Sequence, residues 1–246
     1  MGRRKKFLNT YVDSMTMDET IRFIEKSIKN KECVQHVVIN AGKINLMQED
    51  KELTNIINEC PIINADGQSI VWASKFLGEK LPERVAGIDI FTNLVELSAK
   101  KGYRPYFFGA KEDVVREVVK KFEDKYPKLN VAGYRNGYFN EDESKDIAKK
   151  IHDSGADILF VAFSSPKKEY WIKENMEIMQ IPFAMGVGGS FDVIAGKTKR
   201  APMWMQKYGL EWFYRFIQEP RRMFKRYIIG NVNFVKLVIK YKRKGA

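Results

Sequence analysis

Short apolar segments alternate with helical stretches of ten or more residues along most of this chain. The clearest apolar segments cover 34–39, 104–108, 157–163 and 181–187, and a helical pattern follows most of them. Parallel strands need crossover connections of about this length, and strands that are buried on both faces are apolar throughout. The pattern therefore predicts an α/β fold: a Rossmann-like, mostly parallel sheet with helices on both faces.

Polar or glycine residues follow the predicted strands. In parallel sheets the carboxyl ends of the strands lie at one edge, and ligands bind beyond that edge. We therefore expect a shared cleft there. The residues expected at this edge are Asn40, Asp66, Gly109, Ser164, Ser165 and the segment 186–190.

Asp66 stands between a short buried strand and a helix, in the sequence Asn64-Ala65-Asp66-Gly67. A carboxylate at this position can accept a proton from a substrate hydroxyl. Aspartate is also a good helix N-cap, so the local pattern alone leaves a catalytic and a capping role equally open.

A glycine-rich turn follows the strand at 181–187. Gly186, Gly188 and Gly189 let the backbone approach a phosphate, and the start of the next helix favours an anion. The third glycine of the dinucleotide fingerprint is absent, and the segment is not a P-loop. A tight strand-to-helix turn explains these glycines, and Gly109, equally well.

Two basic positions suggest an anionic ligand. Arg84 lies in a predicted loop, where its guanidinium suits bidentate phosphate recognition. Lys167 and Lys168 begin a helix, where the helix dipole disfavours cations unless an anion is present. A solvated loop charge is the alternative for Arg84.

All of the net charge of +12 lies in the last fifty residues, which hold fourteen Lys and Arg against Glu211 and Glu219. Ten aromatic residues share this segment. The division predicts a catalytic domain at 1–196 and a basic, aromatic-rich helical appendage at 197–246 that binds an anionic membrane surface. An ordinary C-terminal helical cap is the alternative, and no nucleic-acid-binding signature accompanies the charge.

Metal and nucleophilic chemistry find little support in the sequence. Cys33 and Cys60 are the only cysteines, and they lack metal-ligand spacing. His36 lies in an apolar strand and His152 on a charged helix, which favours structural and solvated roles. Catalysis by a Ser-His or Cys-His pair is therefore poorly supported.

Taken together, several segments resemble the WecG/TagA/CpsF family, glycosyltransferase family 26. The resemblance covers nearly the whole chain, and its longest stretch is highly specific. The matching stretches are 64–67, 81–87, 137–139, 166–169, 186–196, 200–202, 209–212 and 219–220.

The resemblance implies an inverting enzyme of bacterial surface-polymer synthesis that needs no metal. Its donor is a UDP-sugar and its acceptor a polyprenyl-diphosphate-linked sugar; the best-known members transfer N-acetylmannosamine to lipid-linked N-acetylglucosamine in teichoic acid synthesis. It also implies a C-terminal appendage that attaches to the membrane and completes the active site. The expected location is therefore cytoplasmic, on the inner face of the plasma membrane; a homo-oligomer is left open.

The same resemblance assigns roles by position. Asp66 falls on the general base, Asn40 and Arg84 fall on active-site residues, and the tail arginines would reach the diphosphates. The residues expected to bind substrate are Gly109, Lys168, Gly186, Gly188, Gly189, Asp192, Arg215 and Arg222.

Two residues depart from the family pattern near the expected sugar site. Val38 replaces a frequent Thr, and Lys168 replaces a frequent Gln. A transferase of the same fold that uses UDP-glucose or a UDP-uronic acid in capsule or exopolysaccharide assembly is therefore the alternative. A nucleotide-binding oxidoreductase and a non-catalytic adaptor are the alternatives from other classes.

Overall fold

A computed structural model describes residues 3–244, with the side chains of Arg3, Arg222, Lys225 and Arg226 outside the description. Within this range eight strands form a two-stranded and a six-stranded sheet. The strands are β1 (Arg3–Phe7), β2 (Thr10–Ser14), β3 (Val34–Ile39), β4 (Ile62–Ala65), β5 (Pro105–Gly109), β6 (Gly133–Arg135), β7 (Ile158–Ala162) and β8 (Phe183–Gly186).

The larger sheet has the order β4-β3-β8-β7-β5-β6, and every neighbouring pair is parallel. The predicted α/β class and parallel sheet are confirmed. At the edge of this sheet, β6 pairs with β5 from Gly133, which lies opposite Tyr106. A Cβ at Gly133 would lie 2.7 Å from the Tyr106 ring, so a glycine is needed where this edge strand starts.

Helices connect the strands and continue into the appendage. They are α1 (Met17–Lys29), α2 (Ala41–Glu49), α3 (Lys51–Glu59), α4 (Gln68–Phe76), α5 (Gly87–Lys101), α6 (Glu112–Lys125), α7 (Ser144–Asp153), α8 (Lys167–Met179), α9 (Ser190–Ile194), α10 (Met203–Lys207), α11 (Glu211–Gln218), α12 (Pro220–Met223) and α13 (Gly230–Lys244). A 3-10 turn covers Glu141–Glu143, and a π-helical segment covers Phe224–Ile229.

Alternate residues of each strand face opposite sides of the sheet. On β3, Val38 joins a core with α1, α5 and α6, whereas Val37 and Ile39 join a core with α2, α3 and α4. The first core is rich in phenylalanine, and the rings of Phe91 and Phe160 lie 4.6 Å apart, tilted by 62°. Each fully buried ring of this kind contributes about 1.5–3 kcal/mol, so both faces fix the strand ends in place.

The hairpin β1–β2 covers the exposed edge of β4. Asp13 accepts a hydrogen bond from the backbone N–H of Ile63 at 2.7 Å. Arg4 donates to both oxygens of Asp13, at 3.0 and 2.9 Å, and to the Cys60 carbonyl. This hairpin is absent from the sequence-based prediction, because its basic first strand lacks an alternating apolar pattern.

The last helix completes one of the two cores described above. Phe234 and Val238 on α13 are buried in the same cluster as Ile44 and Met47 of α2. Asn45 of α2 donates a hydrogen bond to the Gly230 carbonyl at 2.7 Å. The division into 1–196 and 197–246 stays a prediction, and this packing ties the two segments together.

Candidate active site

The carboxyl ends of the parallel strands bring the predicted residues to one edge of the sheet. Asp66 follows β4, Asn40 follows β3, and the glycine turn follows β8. The Asp66 N–H donates to the Ile39 carbonyl at 2.9 Å, which places the ends of β4 and β3 side by side. The common edge follows from topology alone, which is why the sequence could predict it.

Asp66 is held by the start of α5 rather than by its own helix. Its Oδ1 accepts a hydrogen bond from the Gly87 N–H at 3.1 Å. No side-chain hydrogen bond caps α4, so the capping role that the pattern allowed is not the one adopted. The described contacts leave Oδ2 for another donor.

Burial raises the pKa of the Asp66 carboxyl above its usual range. The Gly87 hydrogen bond and the charge of Arg84 oppose that rise, whereas the nearby Glu211 carboxylate adds to it and Lys43 opposes it. A carboxylate with a raised pKa is a stronger base than an ordinary aspartate. Its environment suits proton abstraction from a hydroxyl.

Arg84 faces the appendage at the same edge. Its Nη1 donates to Glu211 Oε2 on α11 at 2.7 Å. Arg200 donates from Nε to the other Glu211 oxygen at 3.2 Å, and bidentately to Asp89 of α5 at 2.7 and 2.9 Å. This four-residue chain of ion pairs fastens the start of α11 beside Asp66.

Asn40 caps α2 by accepting a hydrogen bond from the Lys43 N–H at 3.0 Å. It also lies against Gly67, the residue after Asp66, because a Cβ at Gly67 would lie 3.6 Å from the Asn40 Cβ. In the first turn of the same helix, the Lys43 ammonium pairs with Glu169 of α8 at 2.6 Å, and both side chains are buried. The pair locks the helix starts that follow β3 and β7.

Glu169 is the shared partner at the centre of this cluster. Ser165 donates to its Oε1 at 3.1 Å, and the Lys168 ammonium lies 3.8 Å from the same oxygen. Burial alone would raise the pKa of Glu169, but the two lysines and these hydrogen bonds hold it below its usual value. Two ammonium groups thus lie beside one carboxylate oxygen.

The glycine turn receives two basic side chains. The Lys168 stem lies across Gly186, where a Cβ would come within 2.4 Å of its Cδ. The Arg215 guanidinium of α11 lies against Gly189, 2.7 Å from the position of a Cβ there. Arg215 Nε is buried without a hydrogen-bond partner among the described residues, so the guanidinium can still donate to an anion.

Comparison with known proteins identifies the family. The family model of the Glycosyl transferase WecG/TagA/CpsF family matches residues 5–246. The chain belongs to this family. A relative from Bacillus spizizenii, named N-acetylglucosaminyldiphosphoundecaprenol N-acetyl-beta-D-mannosaminyltransferase, is 34% identical over 78% of this chain and 73% of its own length. A Bacillus subtilis relative of the same name is 37% identical over 71% of this chain and 67% of its own length.

The WecG/TagA/CpsF assignment makes this chain a sugar-transferring enzyme, and the predicted enzyme class is confirmed. The oxidoreductase and adaptor alternatives are thereby disfavoured. The roles of individual residues stay predictions, since neither comparison assigns a function to a position.

The structure places two of the remaining predicted residues of this family member, Gly109 and Asp192. Gly109, at the end of β5, has φ +121, and a Cβ there would meet the Ala162 backbone at 2.8 Å, so the turn requires glycine. Asp192 lies on α9 and its carbonyl accepts from Lys197 and Thr198. Arg222 falls outside the described side chains.

Several residues at this edge of the glycosyltransferase were missed by the sequence analysis. Glu211, Arg200, Lys43 and Glu169 act through partners far away in sequence, which no local pattern shows. Lys43 carried one usable signal: it is a cation in the first turn of a helix, as Lys168 is.

No group of three or more His, Cys, Asp or Glu residues within 3–244 is arranged to hold a metal ion. The predicted independence from metals stays a prediction. His36 is buried beside Asn64, its Nε2 2.9 Å from Oδ1, and burial lowers its pKa to about 4. A neutral, structural histidine fits this environment.

Proposed function

We propose that this enzyme transfers N-acetylmannosamine from its UDP-sugar to undecaprenyl-diphosphate-linked N-acetylglucosamine, with inversion and without a metal. The relatives' printed name supports the acceptor and the transferred sugar. The observation that carries the mechanism is the raised pKa of the Asp66 carboxyl at this edge of the sheet. Arg84 lies near it, and Arg84 pairs with α11, the helix that carries Arg215.

In the proposed reaction, Asp66 Oδ2 takes the proton of the acceptor hydroxyl as that oxygen attacks the anomeric carbon. The bond between this carbon and the UDP oxygen breaks, and its electron pair leaves with the diphosphate. Asn40, which lies against Gly67, orients the sugar in this proposal. A single displacement of this kind inverts the anomeric configuration.

The leaving diphosphate needs compensating charge. Arg84, Arg215 and Lys168 reach this edge of the sheet from a loop, α11 and α8, and Gly188 and Gly189 let backbone N–H groups approach. Preorganised cations in a water-poor cleft stabilise the charge that develops on a leaving group. We propose that these residues do so, with Gly109, Gly186 and Asp192 forming the adjacent wall.

Lys168 supports one alternative donor. Lys168 places a second ammonium group beside Lys43 at the Glu169 carboxylate, and cations near the sugar site suit an anionic group of the donor. That anion is either a donor phosphate or the carboxylate of a uronic sugar. Val38, packed against Gly87, supplies no polar group to this site.

The proposed acceptor is lipid-linked, and one face of the enzyme suits an anionic membrane surface. It includes residues of α4 and α10, which meet where Gly209, just after α10, lies against Trp72 of α4. Helices α4, α10 and α13 contain no acidic residue, and Lys75, Lys207 and Lys242 are exposed on them. No helix within 3–244 is long and apolar enough to cross a bilayer. The aromatic face consists of Trp72, Phe76, Met203, Trp204 and Tyr208, each more than half exposed.

The decisive test is UDP release from a panel of donors, with a short-chain lipid-diphosphate N-acetylglucosamine acceptor. UDP-N-acetylmannosamine should be the best donor, turnover should survive a chelator, and UDP release should require the acceptor. A preference for UDP-glucuronic acid would establish the alternative donor. Loss of turnover with the chelator would overturn the metal-free mechanism, and inactivity with every donor would overturn the proposed function.

A further inference from the structure

One carboxylate of the appendage occupies the centre of the cationic edge. Glu211 is the only acidic residue between Asp192 and Glu219, in a segment otherwise rich in Lys and Arg. Both of its carboxylate oxygens are engaged: Oε2 by Arg84 of the body and Oε1 by Arg200 of the appendage. An acid at an anion-binding edge opposes ligand charge unless it performs another task.

The geometry shows what that task is. Arg84 is held near the end of strand β4 because its neighbour Val85 donates its N–H to the Ala65 carbonyl at 2.9 Å. Among the contacts described for residues 3–244, the Arg84 guanidinium uses only Nη1, which points to Glu211. A guanidinium offers five N–H donors, so one anchored nitrogen fixes its direction and leaves the others for an incoming anion.

The same carboxylate fixes helix α11. Glu211 begins α11, and Arg215 lies one turn later, with its guanidinium against Gly189. Residues four apart lie on the same side of a helix. Anchoring Glu211 to Arg84 therefore also sets the position of Arg215 over the glycine turn.

We propose that Glu211 is a positioning residue that orients Arg84 and Arg215 together on the donor diphosphate. This inference rests on the proposed function and deepens it, because it couples docking of the appendage to assembly of the diphosphate site. Arg200, held bidentately by Asp89, balances the charge of Glu211 so that its carboxylate does not repel the ligand.

The test compares Glu211→Gln with Asp113→Asn in the full-length enzyme. Asp113 pairs with Lys197 at 3.2 Å, so its variant also breaks an appendage-to-body ion pair and removes one negative charge, but on exposed side chains. Misplacement of a positioned group by about 1 Å can cost about 100-fold in rate. We expect kcat/KM for the UDP-sugar to fall at least tenfold in E211Q and to stay within twofold of wild type in D113N.

A pH profile separates positioning from simple loss of structure. The charged groups facing Asp66 are Arg84 and Lys43, which lower its pKa, and Glu211, which raises it. Removing the Glu211 charge should therefore move the acid limb of kcat/KM to lower pH. Glu211→Asp keeps the charge and should keep the limb near its wild-type position.

A double-mutant cycle completes the test. If Glu211 acts through Arg84, E211Q should add little further loss of kcat/KM in an Arg84→Ala background. Two results would overturn the inference: equal kcat/KM in E211Q and D113N with an unchanged acid limb, or fully additive losses of kcat/KM in the cycle. In either case, turnover by the wild type would leave the proposed function standing. If E211Q does not fold by circular dichroism, a normal kcat/KM in Arg84→Ala alone would overturn it.

Discussion

The buried Lys43–Glu169 pair provides the sharpest quantitative prediction, for Lys43→Met. The ammonium lies 2.6 Å from Glu169 Oε1, and the two side chains are only 4% and 2% exposed. Removing one partner of a buried pair costs about 3–5 kcal/mol, because the other charge is left uncompensated. Lys168 and Ser165 still contact Glu169, so we expect the lower end, about 3 kcal/mol.

The matched control is Lys173→Met on α8, the helix that carries Glu169. Lys173 pairs with Glu59 at nearly the same distance, 2.7 Å, but the side chains are 52% and 61% exposed. An exposed pair contributes about 0–1 kcal/mol. For a chain of this size, 1 kcal/mol shifts Tm by about 2–4 °C. Thermal melts followed by circular dichroism should show a loss of about 6–12 °C for K43M and no more than about 4 °C for K173M.

The pH dependence of the K43M effect has a definite sign. In the wild type, the pKa of Glu169 is lowered, so the pair stabilises the fold above the carboxyl's unfolded pKa, and that stabilisation is lost as the pH falls through the folded value. Without Lys43, burial raises the Glu169 pKa and the carboxyl can protonate. The Tm difference between K43M and wild type should therefore shrink as the pH falls from 7 towards 4. Equal Tm losses in K43M and K173M at pH 7 would refute the reasoning.

Two further predictions concern catalysis and membrane binding. Asp66→Asn should lower kcat by about 100-fold or more while UDP affinity, measured calorimetrically, stays within about threefold, because the amide cannot accept the proton; a fully active variant would remove the base assignment. In the wild type, activity should fall as the pH drops through the raised pKa of Asp66. Trp72→Ser with Phe76→Ser should weaken sedimentation with anionic vesicles by about tenfold or more, given about 1.5–3 kcal/mol per buried aromatic. Tyr134→Ser on β6, at the opposite edge of the sheet, should bind as wild type, and equal binding by all three proteins would exclude the aromatic face.

The parallel sheet and its ligand edge could be predicted because both follow from local pattern. The apolar run at 34–39 became β3 with unchanged bounds, and Asp66 lies at the edge where the topology requires it. The ion pairs that shape the site could not be predicted. Lys43 and Glu169 are 126 residues apart, and Arg84 and Glu211 are 127 apart. Their pairing depends on how helices pack, which neither periodicity nor motif spacing encodes.

The two adjacent glycines of the turn after β8 are needed for different reasons. Gly188 has φ +53, a backbone conformation that disfavours any side chain. Gly189 has an ordinary φ of −74, and a methyl group there would meet only the mobile end of Arg215. Alanine at 188 would thus destabilise the fold, whereas alanine at 189 would leave the fold intact and displace the Arg215 guanidinium. In a homologue that lacks the C-terminal arm, we expect other residues at position 189, because Arg215 would be gone, but still glycine at position 188.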